Sequence, residues 1–239
     1  MRIKYMTINI NVITLFPEMF PGSLDFSLSG KARKNNLWNI NTINLRNFAK
    51  DKRRTVDDAP FGGGEGMIIK PEILSRAIKS LKNNVHPKIL LSPRGEVFNQ
   101  NLAKEFAKLD ELTLICGRYE GIDQRVIEKY NLMEVSLGDY ILSGGEIACQ
   151  VLLDVIIRLL PGVINNEQSV KNESFENGLL EFPQYTKPRI WEGIETPKIL
   201  LSGHHEKIKK WRIEQSLKIT EKRRPDLWIK YLERQNKDI

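Results

Sequence analysis

Three short stretches of this chain could hold a ligand with main-chain atoms. Leu91-Ser92-Pro93-Arg94-Gly95, the run from Cys116-Gly117 to Gly121, and the run from Ser136 to Gly145 each follow a short apolar segment. Glycine lets backbone N–H groups approach a ligand closely, and Ser143-Gly144-Gly145-Glu146 adds the signal of a helix beginning there. Small side chains at successive strand ends imply a pocket walled by main chain, not by charged groups. A second candidate is a polar stripe. Between Glu146 and Leu160 apolar residues cover almost the whole helical circumference, as in a buried helix, and the exceptions Gln150, Asp154 and Arg158 recur every fourth residue. The stripe is either an i,i+4 Asp154–Arg158 pair at a solvent edge or a row of groups facing a subunit partner or a substrate. The third candidate, Asp57-Asp58-Ala59-Pro60-Phe61-Gly62-Gly63-Gly64-Glu65-Gly66-Met67, cannot be regular structure. It fits neither the P-loop nor the dinucleotide fingerprint. Glycine runs usually read as flexible linkers, but the neighbouring Asp57-Asp58, Pro60 and Phe61 point to an ordered, functional loop. The pair His204-His205 suggests metal ligands only weakly, because adjacent helical residues point in different directions; capping or packing accounts for them.

Composition narrows the classes. With 239 residues, 41% of them hydrophobic, the chain can build one sizeable core plus a small appendage. No apolar run reaches the roughly 18 residues of a membrane span, and the first residues show no signal-peptide core. Cys116 and Cys149 both sit in apolar runs and read as buried thiols, so neither a disulfide framework nor a zinc site is supported. A reducing, cytoplasmic setting is expected. Lys plus Arg exceed Asp plus Glu by 37 to 30, with a pI of about 9.3, which allows a polyanionic partner. The excess gathers at Lys50, Lys52, Arg53 and Arg54, and again at Lys207, Lys209, Lys210, Arg212, Lys218, Lys222, Arg223 and Arg224. Two separated clusters suit a long ligand better than a small one.

The elements that would position these groups follow from periodicity. Strands are predicted over residues 8–15, 37–45, 88–91 and 112–116 and at 134–136; helices over 23–35, 70–81, 100–108 and 146–160. The strand at 88–91 is expected to end at Ser92-Pro93. Strands alternating with helices at this spacing indicate an α/β fold with a mainly parallel sheet, whose ligands sit beyond the carboxyl ends of the strands. After Gly162 the composition turns polar, and residues 165–173 read as a linker. The expected organisation is a first domain over 1–164 and a small helical domain over 174–239. In the latter a helix running from His204 to about Lys222 would show two apolar faces with basic residues between them.

These residues also carry a resemblance. LFPEMF at 15–20, DDAPFGGGEGM at 57–67, LSPRG at 91–95, CGRYEGIDQRV at 116–126, SLGDYILSGGE at 136–146, RLLPGV at 158–163, GLLEFPQYTKP at 178–188 and SGHHEKIKKWR at 202–212 resemble the bacterial tRNA (guanine-N1)-methyltransferase family, TrmD. Eight motifs in order, spanning roughly residues 8–227, make the likeness specific. It implies a SPOUT-type α/β fold with a deep C-terminal trefoil knot, which no periodicity could reveal. It implies S-adenosylmethionine held in a bent form by Leu90, Leu91, Ser92, Pro93, Gly117, Glu120, Ser136, Leu137, Gly138, Asp139, Tyr140, Ile141, Leu142, Gly144 and Gly145. It implies tRNA as partner, with Asp57, Gly62, Gly63, Gly64, Lys207, Lys210, Arg212, Arg223 and Arg224 at its surface, and neither DNA nor membrane. It further implies an obligate homodimer with active sites at the interface, and magnesium, for which the sequence offers no ligands.

The implied reaction is methyl transfer to N1 of guanosine 37 in tRNAs with G at position 36. N1 carries a proton at neutral pH, so a general base must remove it while a cation meets charge moving to O6. By the resemblance Arg158 fills the second role. The base is where the chain departs: the family has Asp-Ser-Phe where this sequence reads Glu173-Ser174-Phe175. Glu173 can make the same transfer with one more methylene to restrain. Glu181 likewise stands where an Asp is expected. The departure at Glu173 also admits an alternative, a non-catalytic RNA-binding protein that retains the cofactor pocket.

Overall fold

The structure, a computed structural model, describes residues 7–82, 86–164 and 173–237. Contacts divide the chain into two compact units, residues 1–165 and 166–239, and each is described by itself.

The first unit is a five-stranded sheet with helices on both faces. In chain order its elements are β1 (Ile8–Thr14), α1 (Ser27–Lys34), β2 (Trp38–Asn44), β3 (Asp57–Asp58), β4 (Ile68–Ile69), α2 (Pro71–Lys79), β5 (Lys88–Val97), α3 (Gln100–Phe106), β6 (Glu111–Cys116), α4 (Gln124–Tyr130), β7 (Met133–Ser136) and α5 (Gly145–Leu159). The main sheet has the order β2-β1-β6-β5-β7, and every pairing in it is parallel. A parallel sheet is covered on both sides, so its central strands are apolar throughout; residues 112–116 of β6 are all buried. Successive side chains leave on opposite faces. Val12, Leu114 and Leu91 join the core beneath α1, α3 and α5, whereas Ile13, Ile115 and Leu90 join the core beneath α2 and α4. The α/β architecture with a mainly parallel sheet is the one periodicity led us to expect.

Three details depart from expectation. The strand expected to end at Ser92 resumes: Leu91 and Glu96 both lie opposite Val135, and Val97 opposite Ser136. Residues 92–95 therefore bulge out of β5, and Gly95 brings the chain back. A Cβ on Gly95 would collide with the Glu134 carbonyl carbon and the Val135 nitrogen, so only a residue without one can lie against β7. The helix expected over 23–35 divides into a 3₁₀ turn, Gly22–Asp25, and α1. Gln150 of α5 holds that turn, its Nε2 donating to the Met19 carbonyl and its Oε1 accepting from Ser23 Oγ. Last, the 57–67 loop has a neck: β3 and β4 pair antiparallel, Asp57 with Ile69 and Asp58 with Ile68.

In the second unit β8 (Ile190–Trp191) and β9 (Ile194–Glu195) form a small hairpin, followed by α6 (His205–Arg223) and α7 (Pro225–Lys237). The two apolar faces expected of α6 are not what it buries. Its buried residues are Ser216 and Thr220, and Ile213 is half exposed. Thr220 Oγ1 accepts from the Leu180 N–H at 2.8 Å and donates to the Ser216 carbonyl at 2.7 Å. An incoming extended segment thus docks on small polar residues, a role hydropathy cannot signal. Residues 165–172 of the expected linker lie outside the described residues.

Gly95→Ala tests the β5–β7 joint. The added methyl has no room, so the variant should lose about 1–3 kcal/mol, read as a lower midpoint in urea unfolding with an unchanged m-value.

Candidate functional site

Beyond the carboxyl ends of β5, β6 and β7 lies a cavity of about 700 Å³. This is where an open parallel sheet places its ligand, at the point where strand order reverses: the chain passes from β5 to β6 on one side and then to β7 on the other. Its walls are the bulge within β5, the loop from Gly117 after β6, and the loop from Ser136 to Gly145 after β7. Ser136 Oγ accepts from the Gly138 N–H at 3.1 Å, which turns the third loop inward. The Gly145 N–H donates to the Gly117 carbonyl at 2.9 Å, joining the first turn of α5 to the exit of β6.

The cavity is large and predominantly apolar, and its arginines are met by neighbours. Three arginines line it, and each has a carboxylate partner: Arg94 with Glu134 at 3.0 Å, Arg118 with Glu146 at 2.8 Å and Arg125 with Asp123 at 2.7 Å. The Arg125 hydrogen bond, with its backbone N–H and charge, holds the Asp123 carboxyl below the usual carboxylate range. Behind the cavity, Cys116 and Cys149 are buried. Hydrogen bonding to Cys149 and burial push the Cys116 thiol well up, so it stays protonated and is no nucleophile. Among the described residues no three His, Cys, Asp or Glu side chains come together to hold a metal.

Of the residues implied for the methyl donor, Leu90, Leu91, Ser92, Pro93, Gly117, Glu120, Ser136, Leu137, Gly138, Tyr140, Ile141, Leu142, Gly144 and Gly145 all line this cavity, and Asp139 does not. Phe61, 98% exposed, reaches it from the glycine loop. Asp57 stands in the loop's neck, and Gly62, Gly63 and Gly64 are exposed at its tip. Arg158 is elsewhere: it occupies the last turn of α5, whose first turn forms the cavity wall, a separation of about 20 Å at 1.5 Å per residue. The polar stripe is mixed in character, since Gln150 is bound within the unit whereas Asp154 is exposed.

In the second unit Lys207, Lys210, Arg212 and Arg223 are exposed on α6, and Arg224 caps it. Arg212 lies over the Phe182 ring at 4.7 Å. Arg224 makes a two-pronged contact with Asp226, at 2.8 and 2.6 Å, which lowers the Asp226 pKa to about 2. Glu173 opens a tight turn. Ser174 Oγ accepts from the Glu181 N–H at 3.0 Å, the Phe175 N–H donates to the Leu179 carbonyl at 2.8 Å, and Phe175 has φ +78°. Both departures from the family pattern, Glu173 and Glu181, therefore belong to one compact turn. A bulky residue at positive φ is uncommon and gathers at functional sites.

Reading by residue type missed Arg118, Tyr119 and Glu146 in the cavity region. The signal for Glu146 was there: it stands four residues before Gln150, at the head of the polar stripe, in an otherwise apolar helix. Tyr119 carries φ +58°, a feature with no trace in the sequence.

The fold and cavity define an α/β protein with a cavity of small-molecule size walled largely by loops at strand ends. Comparison with known proteins is more specific. The profile of the tRNA (Guanine-1)-methyltransferase TrmD family matches residues 8–230. A tRNA (guanine-N(1)-)-methyltransferase of Rhodospirillum rubrum is 51% identical over 227 residues, covering 95% of each chain. One from a Chelativorans species is 53% identical over 228 residues, covering 95% of this chain and 97% of its own. One from Wolbachia pipientis wMel is 52% identical over 227 residues, covering 93% and 96%. The chain belongs to the TrmD family of methyltransferases and is an enzyme of that class.

The Arg224–Asp226 contact makes a measurable prediction. In a carboxyl-detected NMR titration Asp226 should titrate near its folded value of about 2, and Arg224→Gln should return it toward the ordinary 3.8. Because the folded pKa is the lower one, the contact stabilises above the unfolded pKa and is lost as pH falls toward 2.

Proposed function

We propose that the protein transfers the methyl group of S-adenosylmethionine to N1 of guanosine 37 in tRNAs with G at position 36. The observation that carries this reading is the coincidence of the cavity walls with the positions that the resemblance implies for the donor, in a chain that the family profile matches over residues 8–230. S-adenosylmethionine, when bound, supplies an electrophilic methyl on a sulfonium. The cavity suits it: its loops offer backbone groups, and its arginines already have anionic partners, so a cationic ligand meets no bare guanidinium. We read the two loops joined at Gly117 and Gly145 as parts of a deep trefoil knot, supported by the close passage of α5 against the exit of β6.

In this reading Glu173 takes the N1 proton of the guanine, and N1 bonds to the methyl carbon as the methyl–sulfur bond breaks and its electron pair stays on sulfur to leave S-adenosylhomocysteine. Arg158 donates to O6, where negative charge gathers as the proton leaves. The roughly 20 Å between Arg158 and the cavity of the same chain favours a site completed by a second copy, with the Arg158 of one protomer serving the cavity of its partner. The exposed apolar Ile147 and Val151 of α5 and Phe26 before α1 give such a homodimer a surface to cover. Magnesium accompanies the family reaction, but the described residues offer no cluster for it, and no step here is routed through it. The tRNA lies on the basic residues of α6 and on the glycine loop. No helix among the described residues is long and apolar enough to cross a membrane, and we place the enzyme in the cytoplasm with its substrate.

Methylation assays on two variants and the salt dependence of tRNA binding test the reading. In a tritiated-methyl assay on unmodified tRNA, Glu173→Gln should lower kcat by about 10²–10⁴-fold while calorimetry shows donor binding unchanged; near-full activity would assign the base elsewhere. Arg158→Ala should lower kcat with dimer mass unaltered in sedimentation. For tRNA binding, log K against log salt should fall steeply, and Lys207→Ala with Lys210→Ala should reduce that slope by about one for each phosphate no longer neutralised; a flat salt response would leave the basic face of α6 merely solvated.

A further inference from the structure

Among the described residues of the first unit, the Glu146 carboxylate is a fully buried charge. Its side chain is 0% exposed, and both oxygens are engaged: Oε1 accepts from Thr14 Oγ1 at 2.8 Å and Oε2 from Arg118 Nε at 2.8 Å. Thr14 also accepts the Phe16 N–H at 3.0 Å, so the exit of β1 belongs to the same group. Arg118 uses a second edge of its guanidinium, donating from Nη1 to the Ser143 carbonyl at 3.0 Å, and its flat face lies 4.5 Å over the Phe16 ring. The two glycines beside Ser143 are shaped to this arrangement. A Cβ on Gly144 would collide with Arg118 Nε, and one on Gly145 would fall 2.7 Å from the Cys116 Cα.

Stability alone does not explain such a pair. Taking two charges out of water costs more than their attraction commonly returns, and well-packed apolar replacements are often as stable or more so. What the pair supplies is direction. A planar guanidinium can bind a carboxylate along one edge and a carbonyl along another, which a lysine cannot do. Arg118 stands between Gly117 and Glu120 in one wall of the cavity, and the carbonyl it holds stands next to Gly144 in another.

We propose that Arg118 and Glu146 are positioning residues for methyl transfer: they fix two of the three loops of the cavity at the separation the donor needs, and so set donor affinity beyond what they add to folding. The inference rests on reading the cavity as the S-adenosylmethionine site. Supporting groups must hold a binding constellation to about half an ångström, and here the support is one ion pair that touches both loops and the exit of β1.

The test compares the full-length wild type with Glu146→Gln, Arg118→Met and the double variant, by urea unfolding, by calorimetric titration with S-adenosylmethionine, and by methylation assay. Arg118→Met leaves the buried Glu146 uncompensated, and Glu146→Gln leaves the partly exposed Arg118 without its carboxylate, so each should be destabilised, the first more. The double variant is neutral at both positions, and its introduced methionine still covers the Phe16 ring, so it should recover most of that stability. Donor affinity should not recover with it: the dissociation constant should stay at least about tenfold above wild type, the equivalent of one charge-assisted hydrogen bond. kcat/KM for the donor should fall more than kcat at saturating donor. Should Glu146→Gln fail to fold, the double variant and Arg118→Lys carry the comparison. Recovery of affinity together with stability, or dissociation constants within about twofold of wild type in folded variants, would overturn the inference alone. A wild type that binds no donor would overturn the reading of the cavity, and this inference with it.

Discussion

The first unit depends on one junction, the meeting of the N-terminus of α5 with the end of β6. The Gly145 N–H reaches the Gly117 carbonyl at 2.9 Å, and the main chains are too close there for any side chain at position 145. The bond satisfies one of the orphan N–H groups at the start of the helix with a carbonyl that a sheet would otherwise leave open at a strand end. It also brings two loops, far apart in sequence, to a common boundary. From that fixed point α5 runs back beneath the sheet as a nearly all-apolar rod, burying Ala148, Cys149, Leu152, Leu153, Ile156 and Ile157. Because so much of the helix lies inside the core, polar residues along it are tied to particular partners: Glu146 to Thr14 and Arg118, and Gln150 to Met19 and Ser23.

Periodicity made most of this architecture legible. Alternating and continuous apolar runs marked the strands, and the unbroken circumference of α5 marked it as buried, since burial on both faces of a parallel sheet leaves a plain hydropathic signature. The glycine loops were legible as the walls of a cavity because close backbone approach demands that residue. What could not be read was whatever depends on partners distant in sequence. Glu96 and Val97 are a poor strand by hydropathy and pair with β7 only because Gly95 lets them lie flat against Val135. Arg118 and Glu146 were visible as residues but not as a pair, since 28 positions separate them. The tight docking of Leu180 on Thr220 rests on hydroxyl and carbonyl groups, to which hydropathy is blind.

The charge distribution separates two tasks. Arginines near the cavity are matched one to one with carboxylates, and Glu120 adds a further carboxylate to the lining, so the walls offer main-chain dipoles and no surplus of positive charge. A cationic donor is compatible with such walls; a polyphosphate is served poorly by them. The surplus of the whole chain, seven positive charges, is concentrated instead on α6 and near residues 50–54, in exposed side chains whose field acts over about a Debye length. In the proposed function, attraction for the polyanion and binding of the cationic donor fall to different groups of residues.

The local turn bears on how a longer carboxylate would serve as the proposed base. An added methylene gives Glu173 another rotatable bond, and that entropy must be recovered by restraint. The turn it opens supplies restraint in its backbone: Phe175 is held at positive φ by its bond to Leu179, Glu176 N–H returns to the Glu173 carbonyl at 3.4 Å, and Ser174 fastens the far side through Glu181. A base on a rigid turn can reach further without losing aim, provided that the turn and not the side chain sets its direction. Glu181, lengthened by the same methylene, binds Gln184 Nε2 at 2.6 Å, so the second substitution is absorbed by a local partner. The two positions thus play different parts: the Glu181 N–H closes the turn on Ser174 whatever side chain it carries, and in the proposed function the added methylene of Glu173 lengthens the carboxylate's reach from that turn.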